Sequence, residues 1–498
     1  MAGYENYYQY IEELGADRDG YVLTNFPYLN NGPKDLIGNS GKGKEYAYRS
    51  YFGRVMYSYA DRYLFQANIR HDGSSRFAKK HRWGTFPSFS AGWVLSEENF
   101  MKNLNWDWLS FLKIRATWGA LGNERIGDFP YMSTIAFGNT IFYQNNGIYF
   151  DQTASQQKYA IENVTWEKTE STDIGLDISF LNNRLRVNGD YYWKNTKDML
   201  LAMAIPDFLG FSDPDVNAGK MSTKGYELNV SWNDHIGDFS YGIAINFSDF
   251  TSKMGDLQGT QFLGDKVKME GSEFNEWYGY VSDGLFLTEE DLKNSPKIND
   301  KNTQLGDIKY KDISGPDGVP DGKISPEYDR VLLGSSLPHF LYGGNINLGY
   351  KNFDLSLAFQ GVGKQNARLA REMVEPFRNN YGNFPAIIDG NYWSPYNTDE
   401  QNAVAKYPRL THVNKSSNYA MSDYWLFNGG YFRLKNVTLG YTFPKEWMKA
   451  IGIKGARIYA SASDLFCLNN YPKGWDPEMG VSEYPITTSI LLGVSVNF

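Results

Sequence analysis

Alternation of apolar and polar residues is what most constrains how this chain can fold. In Ile174-Gly175-Leu176-Asp177-Ile178-Ser179-Phe180 every even position is apolar, with small or polar residues between. Tyr226, Leu228, Val230 and Trp232 repeat the pattern, as do Tyr241, Ile243, Ile245 and Phe247, and again Phe353, Leu355, Leu357 and Phe359. Successive side chains on a strand point to opposite sides, so a sustained period of two makes a strand with one apolar and one wet face. Composition agrees: 16% of the 498 residues are aromatic, and aromatic residues suit a pleated, half-buried surface. The expected fold class is all-β and antiparallel.

Soluble sandwiches alternate too, and the links between strands separate the two classes. About 13 strands are legible, near 45–59, 61–72, 84–96, 109–121, 166–180, 184–197, 222–235, 238–252, 339–351, 352–364, 429–443, 454–466 and 486–498. Tight turns at Ala60-Asp61, Leu181-Asn182-Asn183, Asn233-Asp234-His235-Ile236-Gly237 and Lys351-Asn352 alternate with long links near 122–165, 198–221, 253–338 and 365–428. Short turns on one rim and long loops on the other mark an outer-membrane β-barrel, with outer-membrane lipid against its apolar face. A sandwich has no reason to sort its links this way. The even-numbered residues of 222–252 are expected to point outward.

The chain ends on Phe498, with Ile490, Leu492, Val494 and Val496 in phase behind it. This strand is expected to be the signal read by the barrel-assembly machinery; the alternative is an ordinary final strand. With Phe498 on the periplasmic side, 13 antiparallel strands make residues 1–43 the tail of an extracellular loop and 44–498 barrel with long extracellular loops. An odd count implies an incomplete barrel, because single-chain bacterial barrels close with even numbers.

Other classes are excluded in turn. A net charge of −8 argues against a nucleic-acid partner. Cys467 is the only cysteine, so there is no disulfide framework or thiolate cluster, and it reads as a small buried strand residue. No run of about 18 apolar residues offers a transmembrane helix. The opening Met1-Ala2-Gly3-Tyr4-Glu5-Asn6 lacks the basic and apolar regions of a signal peptide. The hydrophilic average of the chain decides nothing, since in a barrel only alternate strand residues face lipid.

Catalytic motifs are wanting. Gly38-Asn39-Ser40-Gly41-Lys42-Gly43-Lys44-Glu45 resembles a phosphate-binding loop, but Glu45 stands where Ser or Thr must hold magnesium, and a flexible basic loop fits better. His71, His81, His235, His339 and His412 are scattered without zinc spacing. No nucleophile elbow or Cys/His pair occurs, so the chain is not read as an enzyme and requires no cofactor. Asp312, Asp317 and Asp321 sit in a Gly-containing turn whose oxygens suit Ca2+. Pro316 interrupts the spacing and the bidentate Glu is missing, so a structural Asx/Gly turn stands beside that reading. Trp277, Tyr278, Trp393 and Trp425 lie in the long links, where sugar rings could stack on them or where they could simply pack the loops.

Several segments together resemble the SusC/RagA family of TonB-dependent outer-membrane transporters. They are Tyr51-Phe52-Gly53-Arg54-Val55, Asn68-Ile69-Arg70-His71-Asp72-Gly73-Ser74-Ser75-Arg76-Phe77, and Trp83-Gly84-Thr85-Phe86-Pro87-Ser88 with Ser90-Ala91-Gly92-Trp93. Leu112-Lys113-Ile114-Arg115-Ala116-Thr117-Trp118-Gly119, the Asp312–Asp321 segment and Phe432-Arg433-Leu434-Lys435-Asn436-Val437-Thr438-Leu439-Gly440-Tyr441 continue in the family's order. The resemblance implies a 22-stranded barrel closed by an N-terminal plug, capped by a SusD-like surface lipoprotein and driven by the TonB complex acting on that plug. It also implies the outer membrane of a Gram-negative, Bacteroidetes-like bacterium and an oligosaccharide or peptide substrate. Against that pattern the plug is absent and about nine strands are wanting, so the chain is expected to be a C-terminal barrel fragment of a nutrient importer. A secreted, soluble, β-rich glycan-binding protein is the rival reading. Links 253–338 and 365–428 are expected to dock the lipoprotein and wall the substrate chamber, because they carry Phe262, Phe274, Trp277, Tyr278 and Tyr280, and Phe377, Tyr381, Phe384, Trp393 and Trp425.

Overall fold

The computed structural model describes residues 1–498 except 145–146, 157–158, 204, 258–263, 300 and 379–381. Its main sheet has fourteen strands: β1 (Ala2–Arg18), β2 (Ile37–Tyr59), β3 (Tyr63–Ser74), β4 (Trp83–Val94), β5 (Leu109–Asn123), β6 (Glu167–Phe180) and β7 (Leu185–Lys197), then β8 (Met221–Ile236), β9 (Phe239–Met254), β10 (His339–Tyr350), β11 (Phe353–Lys364), β12 (Tyr431–Thr442), β13 (Gly455–Asn469) and β14 (Ser489–Asn497). They are hydrogen-bonded neighbours in chain order. No described helix is long and apolar enough to cross a membrane, which says nothing of strands that cross one.

The count of about 13 becomes 14 at the start of the chain. Residues 1–43 were expected as a loop tail, yet they hold β1 and the first part of β2, with Tyr4 opposite Tyr51 and Tyr7 opposite Tyr48. Cross-strand contacts rather than alternation hold this pair: Tyr7 stacks on Tyr48 at 5.2 Å, the Tyr48 hydroxyl donates to Glu5, and Lys42 pairs with Glu13 at 2.8 Å. The phosphate-loop lookalike at 38–45 is simply extended strand within β2. The even count removes parity as the ground for an incomplete barrel, while fourteen strands remain fewer than the 22 that the resemblance implies.

Tight links join β2 to β3, β6 to β7, β8 to β9 and β10 to β11, as expected. Their short loops need left-handed residues, which are Ala60 and Asp61, Leu181 to Asn183, Gly237, and Lys351. The long links fall at 124–166, 198–220, 255–338 and 365–430, and sequence patterning missed further ones at 19–36 and 470–488.

The residues form two compact units, each described by itself: Met1–Trp93 with Arg115–Asp173 and Trp193–Ser222, and Val94–Ile114 with Ile174–Tyr192 and Thr223–Phe498. In the first unit one sheet face is apolar. Tyr57 lies opposite Phe65, Tyr63 opposite Trp93, and Phe89 stacks on Trp118. The other face is polar, with Arg70 bonded to Asp72, Glu5 and Ser50, and Asn68 bonded to Ser88.

The second unit is two-faced as well, but the phase inverts at each tight turn. A Cβ on Gly242 would fall 2.5 Å from Asn233 Oδ1, so even positions of β9 share a face with odd positions of β8. The apolar face therefore carries Tyr226 and Leu228 of β8 but Ile243, Ile245 and Phe247 of β9, and Tyr226 meets Phe247 at 6.0 Å. The expectation that even residues throughout 222–252 share a side is thus correct for β8 and inverted for β9. Register carries the face onward through Phe247 stacked on Phe340 and Phe359 stacked on Phe432. At the last strand Ile490, Leu492, Val494 and Val496 lie opposite Ala462, Ala460, Ile458 and Ala456, so all four share that face.

Candidate functional site

Three features of the second unit place chemistry beyond the sheet scaffold. The first is the polar face of β7 to β12, which lines a concavity of about 830 Å3 with Asn188, Asn229, Ser231, Asn246, Asn345 and Gln360. Amide and hydroxyl side chains share it with apolar neighbours such as Leu341 and Val362, and Lys435 enters at one edge. A register shift between Leu434 and Asn436 lets Lys435 and Asn436, consecutive in sequence, both face the polar side. Across it, Asp464 holds a left-handed φ of 51°, a strained conformation for a residue with a Cβ.

The second feature is an ion cluster beside that shift. Arg433, almost fully buried, reaches Asp476 at 2.5 Å, Glu478 at 2.9 Å and Asp464 at 3.5 Å, while Lys435 reaches Asp464 at 2.8 Å. Asp476 and Glu478 belong to the 470–488 link, so the cluster ties that link to the polar wall. Burial alone would raise the Asp476 pKa, but the Arg433 guanidinium and the Glu478 backbone N–H hold it below its ordinary value. Cys467 is opposite Arg433 in β13 and is only half-buried, not the fully buried strand residue expected.

The third feature is a folded body made by links 255–338 and 365–430. Its apolar core contains Tyr280, Leu285, Ile308, Tyr310, Ile324, Val374, Ile388, Tyr419 and Trp425. Asp307 is fully buried at its centre. It accepts from Arg409 Nε at 2.7 Å and Nη2 at 3.1 Å, from Asn414 at 2.8 Å and from Asn418 at 2.9 Å. Asn418 also accepts from the Ile308 N–H, and its carbonyl takes the Trp425 indole N–H. Burial pushes the Tyr310 and Tyr419 hydroxyls above their ordinary pKa, which keeps both as proton donors, to Ser417 and Val374 carbonyls respectively. The backbones approach closely at Gly279, where a Cβ would fall 2.1 Å from the Met421 carbonyl oxygen. At the rim of this body burial disfavours the Lys309 charge, but Asp291 and Asp283, each 3.0 Å away, hold its pKa above the ordinary value.

The structure assigns different work to the four aromatic residues singled out by sequence. Trp425 is 2% exposed and packs against Tyr407, Tyr419 and Tyr424, so it is core and cannot stack on a ligand. Trp277 donates its indole N–H to the Asn366 carbonyl at 2.6 Å, beneath the Lys266 ammonium, and so ties the two links together. The Arg330 guanidinium lies 4.5 Å from the Tyr278 ring. Trp393 borders a cavity of about 550 Å3, with Glu289, Gln304, Tyr392, Tyr396 and Arg409 among its other walls. Phe262 and Tyr381 lie outside the described residues. Nothing in the sequence singled out Asp307, Asn414, Asn418 or Arg409; only the spacing of Asn414 and Asn418, one helical turn apart, hinted that they act together.

Asp312, Asp317 and Asp321 do not converge. Asp312 accepts from the Gly322 N–H at 2.5 Å and Asp321 from the Lys323 N–H at 3.0 Å, while Asp317 is exposed. The turn is organised by the fully buried Asp329, which accepts from the Ile313, Ser314 and Ser325 N–H groups. Among the described residues no three His, Cys, Asp or Glu side chains are grouped to hold a metal ion. His339 is instead held between Asp249 at 2.8 Å and Glu273 at 3.5 Å.

Residues 2–465 match the family described as TonB dependent receptor-like, beta-barrel. The chain is 32% identical over 531 residues to the TonB-dependent receptor SusC of Bacteroides thetaiotaomicron, covering 99% of this chain and 50% of that protein. It is 30% identical to TonB-dependent receptor P3 of Formosa agariphila, covering 96% and 47%. Among solved structures, the RagAB peptide importer in its open-open state superposes with a TM-score of 0.80 at 22% identity, over all of this chain and 52% of the other, a likeness of fold. The chain spans about half the length of the curated relatives it matches. On the family match over nearly its whole length, and on its antiparallel two-faced sheet, the chain belongs to the TonB-dependent receptor-like β-barrel family.

Proposed function

We propose that this chain is the wall and outer-loop part of an outer-membrane importer, driven through TonB, that takes up an oligosaccharide or peptide with a SusD-like surface lipoprotein. The observation that carries the proposal is the two-faced sheet. Its apolar face leaves Val55 63%, Phe65 45%, Ile69 53%, Leu492 81% and Val494 70% exposed, and each such side chain left in water forgoes about 1.5–3 kcal/mol of burial. Lipid removes that cost, and the polar opposite face then lines the lumen. A soluble glycan-binding sandwich would have to bury this face against a second sheet, which argues against the rival reading. The likeness to SusC supports the TonB-driven reading, and the RagAB structure of similar fold is that of a peptide importer. The body built by links 255–338 and 365–430 supplies a folded surface at which a partner can dock, since loops of such length are usually functional or disordered and this one has an apolar core.

Shortening each of these two links separately in the membrane-embedded importer tests the proposal. Loss of lipoprotein co-purification, of ligand uptake, or of both is expected. If both shortened forms keep partner and uptake, the links are packing decoration and this reading of them fails.

A further inference from the structure

We propose that the cavity walled by Trp393 and Arg409 is a subsite for one pyranose ring of a neutral oligosaccharide. The inference rests on the importer reading above and narrows its cargo from oligosaccharide or peptide to a saccharide.

The cavity lies within a single folded body and, at about 550 Å3, falls in the range of small-molecule sites. Its aromatic wall is set in place before any ligand arrives. Gly306 has a left-handed φ of +81°, and a Cβ there would fall 2.3 Å from the Trp393 indole. The indole therefore rests against bare backbone, and the Trp393 N–H donates to the Tyr407 carbonyl at 3.0 Å. Gly306 is also bound at both backbone ends, its N–H to the Phe286 carbonyl and its carbonyl to the Arg409 N–H, each at 2.8 Å. A platform already fixed by its surroundings loses little entropy on binding.

The polar groups around that platform suit hydroxyls better than charges. Arg409 commits Nε and Nη2 to Asp307 and the Asn302 carbonyl, which leaves Nη1 as its uncommitted donor among the described residues, and Arg409 is part of the cavity wall. The guanidinium charge is offset by the buried Asp307 carboxylate, so a ligand anion meets no uncompensated cation. Glu289 and Gln304, both exposed, add acceptors and an amide donor. A sugar ring presents what this set reads: a C–H face for the indole, and hydroxyls that both donate and accept. A peptide carboxylate finds its only cation already paired, and a peptide ammonium finds only Glu289.

The test is equilibrium binding by calorimetry and saturation-transfer NMR, using the membrane-embedded importer purified in detergent micelles. The probes are malto-, laminari-, manno- and xylo-oligosaccharides, with a trialanine and a Glu-containing tripeptide alongside. At least one saccharide series is expected to bind. Trp393→Ala should weaken it about tenfold or more, as loss of a central aromatic anchor does. Trp393→Phe should retain most of the affinity, and Gln304→Ala should weaken it within a protein whose fold is unaltered, since Gln304 is exposed. Trp447→Ala, far from the cavity in sequence and exposed, should bind as the parent does. Binding of the tripeptides alone, of no saccharide, or of a saccharide indifferent to both Trp393→Ala and Gln304→Ala overturns the subsite. The importer reading fails by a separate route, if lipoprotein association and uptake survive in both singly shortened forms while the parent with intact links binds saccharide.

Discussion

Asp307 shows how much one residue can hold. Four side-chain donors from Arg409, Asn414 and Asn418 converge on a carboxylate with no exposed surface, joining positions far apart in the chain. Asp307→Ala leaves the largely buried Arg409 guanidinium without its carboxylate, and breaking a buried pair in this way costs about 3–5 kcal/mol. We expect the 255–338 link to become sensitive to protease while the sheet stays intact, and unchanged cleavage kinetics would count against the network. Asp476 carries a pH dependence of definite sign. Its folded pKa lies below the ordinary carboxylate value, so its contribution is complete above that value and is lost as pH falls through the lowered one. The 470–488 link should therefore be protected from hydrogen exchange at neutral pH and open below about pH 4, near the ordinary carboxylate pKa. Asp476→Asn should already be loosened at neutral pH, and identical exchange in variant and parent would refute the tether.

At the scale of elements, the alternating strands were legible because their pattern is local. The inversion of phase between β8 and β9 was present in the same pattern, apolar at even positions over 226–232 and at odd ones over 241–247, although a single parity was expected across both; which residues the turn sets opposite one another is what only the structure shows. Spin labels at Leu228, Ile243 and Ile245 in the membrane-embedded chain should report lipid, and labels at Asn229, Ser231 and Asn246 should report water. Lipid contact at even positions in both strands would sink the register, since a one-residue slip turns every side chain to the other face. The final strand keeps Ile490, Leu492, Val494 and Val496 on the apolar face through its pairing with β13. Deleting Phe498 should lower the amount assembled in the membrane while synthesis continues; normal surface levels would make the terminal residue an ordinary one. The candidate site was less legible than the strands. Trp393 and Trp425 looked alike in sequence, and packing by three tyrosines is what places Trp425 in the core while Trp393 borders a cavity.

For the whole molecule, among the described residues β1 and β14 each have a hydrogen-bonded neighbour in the main sheet on one side only. In hydrocarbon every unsatisfied backbone group costs several kcal/mol, so strands that span a membrane must be paired on both sides. Residues 1–498 expressed alone should give no ligand uptake above background. Uptake by cells carrying this chain and no relative would overturn that expectation.

Periodicity by itself determined that the chain forms antiparallel strands with one apolar face, because side-chain direction alternates whatever the partners are. The tight turns and the family-like segments, likewise local, determined the barrel class. What only the tertiary structure decided is whatever depends on pairing across distance. β1 escaped notice because its Tyr-rich sequence alternates poorly and is held by β2. The Asp-rich turn looked like a cation site because its organising residue, Asp329, lies beyond the motif and fills its N–H donors from within. Arg409 becomes a candidate ligand donor only once Asp307 has oriented it, a meeting across more than a hundred residues that sequence spacing cannot express.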